Sequence, residues 1–321
     1  MHAGGPKAVT ALVADIGGTN TRVALAEGPV PVPGSVRRFR NADHPDLTDV
    51  LAAYLAEAGS PEIDGACAAL AGPVRHGRGK LTNLDWIIEE AAIARVAGTG
   101  RVKLLNDMAA QGHALDHIAP AALETVLEGP AQPGGPRLVI GIGTGFNAAA
   151  VHALPHGTLV TEAEAGQVSL PVGDAETLSL ARFLAEPDGF APVEEALSGR
   201  GLGRLYDWAT AEAGAPRRLD GHGVLAALDT DPEARRAAET FVRLLGTVAG
   251  DLALNHLPYG GIYLIGGMAC AVTPLADPMG FAEAFRRKGR FAELMRAFRV
   301  LTVTDDSAAL TGCAGYLASA E

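Results

Sequence analysis

Leu12-Val13-Ala14-Asp15-Ile16-Gly17-Gly18-Thr19-Asn20-Thr21-Arg22-Val23-Ala24-Leu25 is the stretch on which the rest of the chain depends. Apolar β-formers lead into an acid and two glycines, three polar residues follow, and an apolar run resumes, which reads as strand, tight turn, strand. The glycines let the backbone turn sharply and present N–H groups, and Thr19 and Asn20 add side-chain donors. Asp15, at the end of the strand, is placed to hold a hydrated cation beside an anion in the turn. Taken alone, the segment reads equally well as an ordinary hairpin with a polar tip.

A second stretch decides between the two. Leu138-Val139-Ile140-Gly141-Ile142-Gly143-Thr144-Gly145-Phe146-Asn147-Ala148-Ala149-Ala150-Val151 repeats the pattern at an offset of 126 positions, with Leu12 over Leu138, Ile16 over Ile142 and Gly17 over Gly143. Gly141 takes the place of Asp15, so only one of the two hairpins carries the acid. A third glycine turn, Gly266-Gly267, follows the short apolar run Ile262–Ile265. Three such turns suggest backbone amides arranged around an extended phosphorylated ligand. A Walker loop does not fit, because Gly79-Lys80 is followed by Leu81 and Val74 stands where the first glycine belongs. Nor does a dinucleotide fingerprint, because Gly141-Ile142-Gly143-Thr144-Gly145 leads into a strand rather than a helix. A nucleotide held between two hairpins remains.

The 321 residues suffice for two domains. A net charge of −11 without a basic stripe argues against nucleic acid as a partner. Cys67, Cys270 and Cys313 are too widely spaced for a disulfide framework or a cysteine zinc site, which fits a reducing compartment. The N-terminus lacks the form of a signal peptide, and no apolar run approaches the roughly 20 residues that span a bilayer. The expectation is a soluble, cytoplasmic protein with no membrane association.

Between the hairpins, periodicity predicts helices over 45–58, 87–96 and 108–115 and strands over 65–70 and 101–105. Asn106-Asp107 stands where the second of these strands gives way to a helix, the position at which open α/β sheets place ligand chemistry. As a plain structural element, Asp107 would cap a helix beginning at Met108. The segment from Gly129 to Pro136 is either a domain linker or a surface loop. Beyond it, helices are predicted over 175–184, 193–197, 202–213, 232–257, 281–298 and 307–320, with a strand over 300–304. Strands come both as hairpins and alternating with helices, so a purely parallel doubly wound sheet does not fit. His113 and His117 share a helix face without a third metal ligand, and Trp86, Trp208 and the Phe281, Phe285, Phe291 spacing read as packing.

Together these segments resemble the bacterial glucokinases of the hexokinase/actin-like superfamily along nearly the whole chain. Asp15-Ile16-Gly17-Gly18-Thr19-Asn20 is similar to that family's first phosphate loop and Gly143-Thr144-Gly145 to its second. Leu81-Thr82-Asn83 with Trp86, and Asn106-Asp107, resemble its sugar-side motifs. Leu197-Ser198-Gly199-x-Gly201-Leu202, preceded by Glu194, and the run from Gly260 to Gly267 complete the set. The His/Cys zinc cluster of the repressor-and-sugar-kinase relatives is absent from the sequence.

The resemblance implies an α/β protein with the two-domain actin-like ATPase (ribonuclease H-like) fold, with mixed sheets, hairpin phosphate loops and a cleft between domains. Residues 1–110 with the C-terminal helix 305–321 would form the smaller domain and 111–304 the larger. It implies ATP-dependent phosphorylation of glucose at its 6-hydroxyl by a homodimer, with Asp107 as catalytic base. Asn83, Asn106, Glu164, Gln167 and Glu194 would join Asp107 in holding the sugar. Ala14, Asp15, Ile16, Gly17, Gly18, Thr19, Asn20, Gly143, Thr144, Gly145, Gly266 and Gly267 would surround ATP, and Asp15 would hold Mg²⁺ through water.

Two departures stand out. Glu164-Ala165-Gly166-Gln167 replaces the family's usual Glu-x-Gly-His, and Phe146-Asn147 replaces a commoner Leu-Gly. The first leaves another hexose or a hexosamine open as substrate. A non-catalytic sugar sensor on the same scaffold is the remaining rival. Only about seven residues precede the first strand, too few for a DNA-binding helix-turn-helix, which counts against a repressor.

Overall fold

The computed structural model describes residues 10–81 and 84–319. The predicted opening hairpin is β1 (Thr10–Ile16) and β2 (Asn20–Glu27), followed by β3 (Val30–Pro31), β4 (Arg37–Arg40) and helix α1 (Leu47–Glu57). Then come β5 (Gly65–Leu70), β6 (Val74–Arg75), β7 (Arg78–Lys80), β8 (Ile87–Glu89), α2 (Glu90–Ala97), β9 (Val102–Asn106) and α3 (Asp107–Ala114). The middle of the chain forms β10 (Leu123–Leu127), β11 (Arg137–Ile142), β12 (Phe146–Leu154) and β13 (Gly157–Glu162). Four helices follow: α4 (Ala175–Leu184), α5 (Gly199–Glu212), α6 (Gly221–Ala226) and α7 (Pro232–His256). The chain ends with β14 (Gly261–Ile265), α8 (Gly267–Val272), α9 (Phe281–Arg286), β15 (Val300–Val303) and α10 (Ala308–Ser319).

These elements group into two compact units, one built from Met1–Ala119, Leu154–Val160 and Asp305–Glu321, the other from Pro120–Ala153 and Thr161–Thr304. The segment from Gly129 to Pro136 lies inside the second unit, tied down where the Gln132 amide donates to the Tyr259 carbonyl at 2.9 Å, so it is a loop.

The first sheet runs β3-β2-β1-β5-β9, with β4 also on β2. β1 is antiparallel to β2 and parallel to β5, and β5 is parallel to β9. Alternation along these strands sorts side chains to two faces. Leu12, Ala14, Ile16, Ala66, Ala68 and Leu70 face a core shared with Val50, Leu51 and Tyr54 of α1 and Ile93 of α2. Ala11, Val13, Cys67 and Ala69 face the other way, onto Ala109 and Ala110 of α3 and Leu310, Cys313 and Ala314 of α10. The small residues of this second face let two helices lie close to the sheet and to each other.

The second sheet, β10-β15-β14-β11-β12-β13, repeats the scheme: β11 is antiparallel to β12 and parallel to β14, and β14 is parallel to β15. Its core surrounds α5 and α7 and contains Tyr206, Trp208, Phe241, Phe281, Phe285 and Phe298. Trp86 and Trp208 are both buried packing residues.

The sequence reading needs three corrections at the level of elements, the smallest being that the helix expected over 193–197 is a short 3₁₀ turn, Val193–Glu195. Residues 87–89 are not the start of a helix but a strand antiparallel to β7, with Ile88 buried and Ile87 exposed. The helix expected over 281–298 stops at Arg286, gives way to short 3₁₀ turns at Gly289–Phe291 and Leu294–Ala297, and turns through Gly289 at a φ of 55°. Only a glycine takes that angle at little cost, so the amphipathic pattern cannot run through it as one helix.

Candidate active site

In the first unit, Asp15 is the next-to-last residue of β1, directly opposite Arg22 on β2. The turn between them is closed by the Gly17 amide donating to the Asn20 carbonyl at 3.0 Å. Its outer surface is stapled by Asn41, a buried residue that the sequence reading did not single out. Asn41 Nδ2 donates to the Gly17 carbonyl at 2.8 Å, its amide donates to the Thr19 carbonyl at 2.9 Å, and its Oδ1 accepts from the Thr21 hydroxyl at 2.8 Å. With its outer carbonyls engaged, the turn has a fixed shape. Burial raises the Asp15 carboxyl above its ordinary pKa, against the pull of the Arg22 guanidinium 3.9 Å away. Arg22 is itself anchored to Asp306, just ahead of α10, through the Asp306 carboxylate at 3.2 Å and its carbonyl. A carboxylate at a strand end whose ionised form is under-compensated suits a hydrated cation.

Asn106 and Asp107 lie at the carboxyl end of β9. The helix starts one residue earlier than the sequence suggests, and its cap is Asn106, not Asp107. Asn106 Oδ1 accepts from the Met108 amide at 2.9 Å and its Nδ2 donates to the Gly72 carbonyl at 3.1 Å. Asn106 therefore serves as the joint between strand, helix and the Gly72 loop. Asp107 becomes the first helical residue, half-buried, with Oδ1 2.9 Å from the same Met108 amide. A carboxylate here sits in the favourable field of a helix N-terminus. Asn83 lies outside the described residues. His113, one and a half turns along α3, packs edge-on against Tyr316 with ring centroids 5.1 Å apart, and burial holds its pKa down at about 4.

In the second unit, the Gly143-Thr144-Gly145 turn joins β11 to β12, with the Gly143 amide donating to the Gly145 carbonyl at 2.9 Å. Three other elements converge on it. The Gly143 carbonyl accepts from the Gly199 amide at the start of α5 at 2.8 Å. Gly266 has a φ of 108°, and a Cβ there would lie 2.5 Å from the Ile142 carbonyl oxygen, so only glycine lets β14 hand over to α8 beside this hairpin. Glu194 Oε2 accepts from the Phe146 amide at 2.9 Å, and a Cβ on Gly145 would lie 2.5 Å from the same oxygen. Thus Glu194, expected on the sugar, braces this glycine turn with one carboxylate oxygen. The adjoining Glu195 is buried and gripped by Arg200 and Arg204.

Glu164 precedes a short 3₁₀ turn, Ala165–Gln167, whose last residue is Gln167, and both side chains are exposed. The Gln167 amide donates to the Glu164 carbonyl at 3.0 Å. Ser198 caps α5, accepting from the Gly201 amide at 2.9 Å while its hydroxyl donates to the Glu194 carbonyl at 2.9 Å. The first unit thus brings Asp15, its glycine turn, Asn106 and Asp107 to one end of one sheet. The second gathers Gly143–Gly145, Gly266, Gly267, Glu164, Gln167 and Glu194 around the head of the other.

Two mixed sheets of the same strand scheme, each headed by a glycine-turn hairpin, define a sugar kinase of the hexokinase/actin-like class. Within it the chain belongs to the glucokinase family, whose model, described as "Glucokinase", matches residues 12–320. A glucokinase of Stenotrophomonas maltophilia (strain K279a) is 35% identical over 321 residues, covering 97% of this chain and 95% of that protein. A Marinobacter nauticus glucokinase is 33% identical over 313 residues, covering 97% and 98%. Among solved structures, a glucokinase from an Antarctic psychrotroph aligns with a TM-score of 0.86 at 28% identity, covering 96% of this chain and 98% of that one.

Proposed function

We propose that this chain is an ATP-dependent glucokinase that transfers the γ-phosphoryl group to the 6-hydroxyl of glucose, and that the residues above divide the work as follows. Asp107 accepts the proton of the sugar hydroxyl as the new P–O bond forms. The observation that carries this role is the division of labour at the head of α3: Asn106 takes the capping duty, so a carboxylate at Asp107 is not needed there to terminate the helix. Asn83, Asn106, Glu164, Gln167 and Glu194 bind sugar hydroxyls, Glu194 with the oxygen it does not spend on Phe146. The amides and hydroxyls of the two glycine turns, with Gly266 and Gly267, hold the nucleotide. Asp15 fits Mg²⁺ held through water, and that ion, when bound, neutralises charge on the phosphates. A cytoplasmic homodimer accompanies this reading. Light scattering on the purified protein tests the dimer.

The direct test couples sugar-phosphate formation to a reporter with ATP and a panel of donors and hexoses. Glucose with ATP should give the highest kcat/KM. No sugar phosphate from any common hexose would end the proposal. Asp107→Asn should lower kcat by about 10²–10⁴-fold, the range of a general base, with glucose KM little changed. Unchanged turnover would remove Asp107 from the role. Gln167 in place of histidine favours keeping mannose and glucosamine on the panel, because a mismatched hydroxyl leaves a buried polar partner unpaired.

A further inference from the structure

Asn147 is the residue of this site that neither the motifs nor the family pattern account for. It is the second residue of β12, directly opposite Gly141, in the strand that leaves the second phosphate turn. Its Oδ1 accepts from the Ala148 amide at 2.8 Å and from the Ala165 amide at 2.9 Å. Two N–H donors on one side fix which end of the carboxamide is oxygen. The Nδ2 must then point the other way, and it lies 3.4 Å from Glu164 Oε2. Among the described residues it is the one side-chain donor to that carboxylate.

We propose that Asn147 is a positioning residue for the sugar, orienting the Glu164 carboxylate and fixing the adjoining turn relative to the phosphate hairpin. The inference rests on the reading of Glu164 as a sugar ligand. A neutral amide suits the task. It occupies one lone pair of Oε2 and leaves the charge on Glu164 and its remaining lone pairs for hydroxyl donors. A glycine at this position offers neither the acceptor for Ala165 nor the donor for Glu164. Gln167, exposed and without a bond to the Glu164 carboxylate, does not substitute for it.

Asn147→Asp keeps an oxygen for the two amides and turns a second carboxylate toward Glu164. At pH 8 it should raise glucose KM about tenfold, the lower end for loss of a hydrogen bond to a charged group, with kcat and ATP KM within about twofold. The penalty should shrink below about pH 6 as the facing carboxylates come to share a proton. Asn147→Gly should raise glucose KM in the same sense with no such pH dependence, and serves if the aspartate variant folds poorly. In a Glu164→Gln background, Asn147→Asp should add less than about twofold, because the two residues act as a unit. Glucose KM unmoved by both Asn147 variants, or raised by the same factor with and without Glu164, overturns the proposal. If Glu164→Gln alone leaves glucose KM unchanged while Asp107→Asn still abolishes turnover, the sugar role of Glu164 fails and the inference falls with it. A wild-type protein that phosphorylates no hexose fails at the earlier step.

Discussion

Gly312→Ala should damage the enzyme far more than a single added methyl suggests. Gly312 lies in α10 where that helix crosses α3, and a Cβ there would stand 1.7 Å from the Ala110 carbonyl oxygen, 2.6 Å from its carbon and 3.1 Å from the Ala114 amide nitrogen. All three are backbone atoms, so no side chain can swing aside. To reach even the 3.0 Å below which such contacts essentially never occur, one helix must retreat by at least 1.3 Å. Overpacking of this kind costs about 1–3 kcal/mol and sometimes more, and the better helix propensity of alanine returns only about 1 kcal/mol. With only backbone to yield, the cost falls in the upper half of that range, and the resulting net loss of about 1–2 kcal/mol should lower the melting temperature by about 2–8 °C. The effect on turnover should be larger in proportion, because α3 begins at Asp107, one turn from Ala110. Displacing a catalytic group by about 1 Å can cost about 100-fold, so kcat should fall about 10- to 100-fold. Gly315→Ala is the matched control. Its Cβ would meet the tip of the His117 ring at 2.8 Å, a neighbour that can rotate, though the His113 carbonyl at 3.2 Å also has to give a little. Thermal melts and glucose-saturated kcat for both variants decide the matter. If Gly312→Ala melts within about 1 °C of wild type with unchanged kcat, or Gly315→Ala is the worse of the two, the reasoning from backbone contact is wrong.

Three further outcomes follow from the first unit. Asn41→Ala leaves the Gly17 carbonyl and the Thr21 hydroxyl without their partner, which should cost about 1–3 kcal/mol in a denaturant melt and raise ATP KM more than glucose KM. Arg22→Met removes the cation beside Asp15 and the tether to Asp306. The Asp15 pKa should rise further, and with the competing positive charge gone the Mg²⁺ concentration for half-maximal rate, measured at pH 8, should fall by up to about fivefold, as expected for a partly exposed ion pair. His113 is held neutral in the fold down to about pH 4, whereas in the unfolded chain it takes up a proton near 6.5. The unfolded state thus binds more protons between those values, so stability should fall as pH drops from about 6.5 toward 4. Urea midpoints across that range should show a shallower slope for His113→Phe, and an identical slope would dismiss the residue as the cause.

Much of this architecture is written locally. The β1–β2 and β11–β12 hairpins, the acid after β9 and the long α7 announce themselves through period, glycine and punctuation, and each is found where those signals put it. What the sequence does not disclose is which side chains brace the turns. Asn41 is 20 or more positions from the turn it staples, and Glu194 is 48 from the amide it holds. No local periodicity marks such pairings, because they exist only once strands from distant segments are adjacent. The cap of α3 is hidden for a different reason: Asn and Asp are equally good caps, so the sequence's choice of Asp107 gives way to Asn106 once the Gly72 carbonyl holds the Asn106 carboxamide in place. Residues 87–89 drop out of the helix expected over 87–96 because a hairpin-like pairing with the nearby β7 takes up their backbone groups, and the helix begins at Glu90.

The internal repeat is instructive where it breaks. Ile16 faces Thr21 across the first turn and Ile142 faces Phe146 across the second, so the second loop is one residue shorter and the offset of 126 slips after it. In both hairpins the residue just before the last on the entering strand meets a partner of consequence. Asp15 meets Arg22, an acid against a base, and Gly141 meets Asn147, a bare backbone against a carboxamide. One register position has therefore been put to two uses. In the first unit it holds charge, as a loop beside a cation requires. In the second it holds a neutral side chain that reaches away from the turn to Glu164, so on the proposed reading the hairpin that would hold phosphate also sets the carboxylate that would hold sugar. A charged residue at Asn147 would either compete with the hydroxyls for Glu164 or repel it, and a glycine would leave it unguided. The two hairpins share one strand frame, and the position that carries an acid in the first carries none in the second, where its partner serves a different contact.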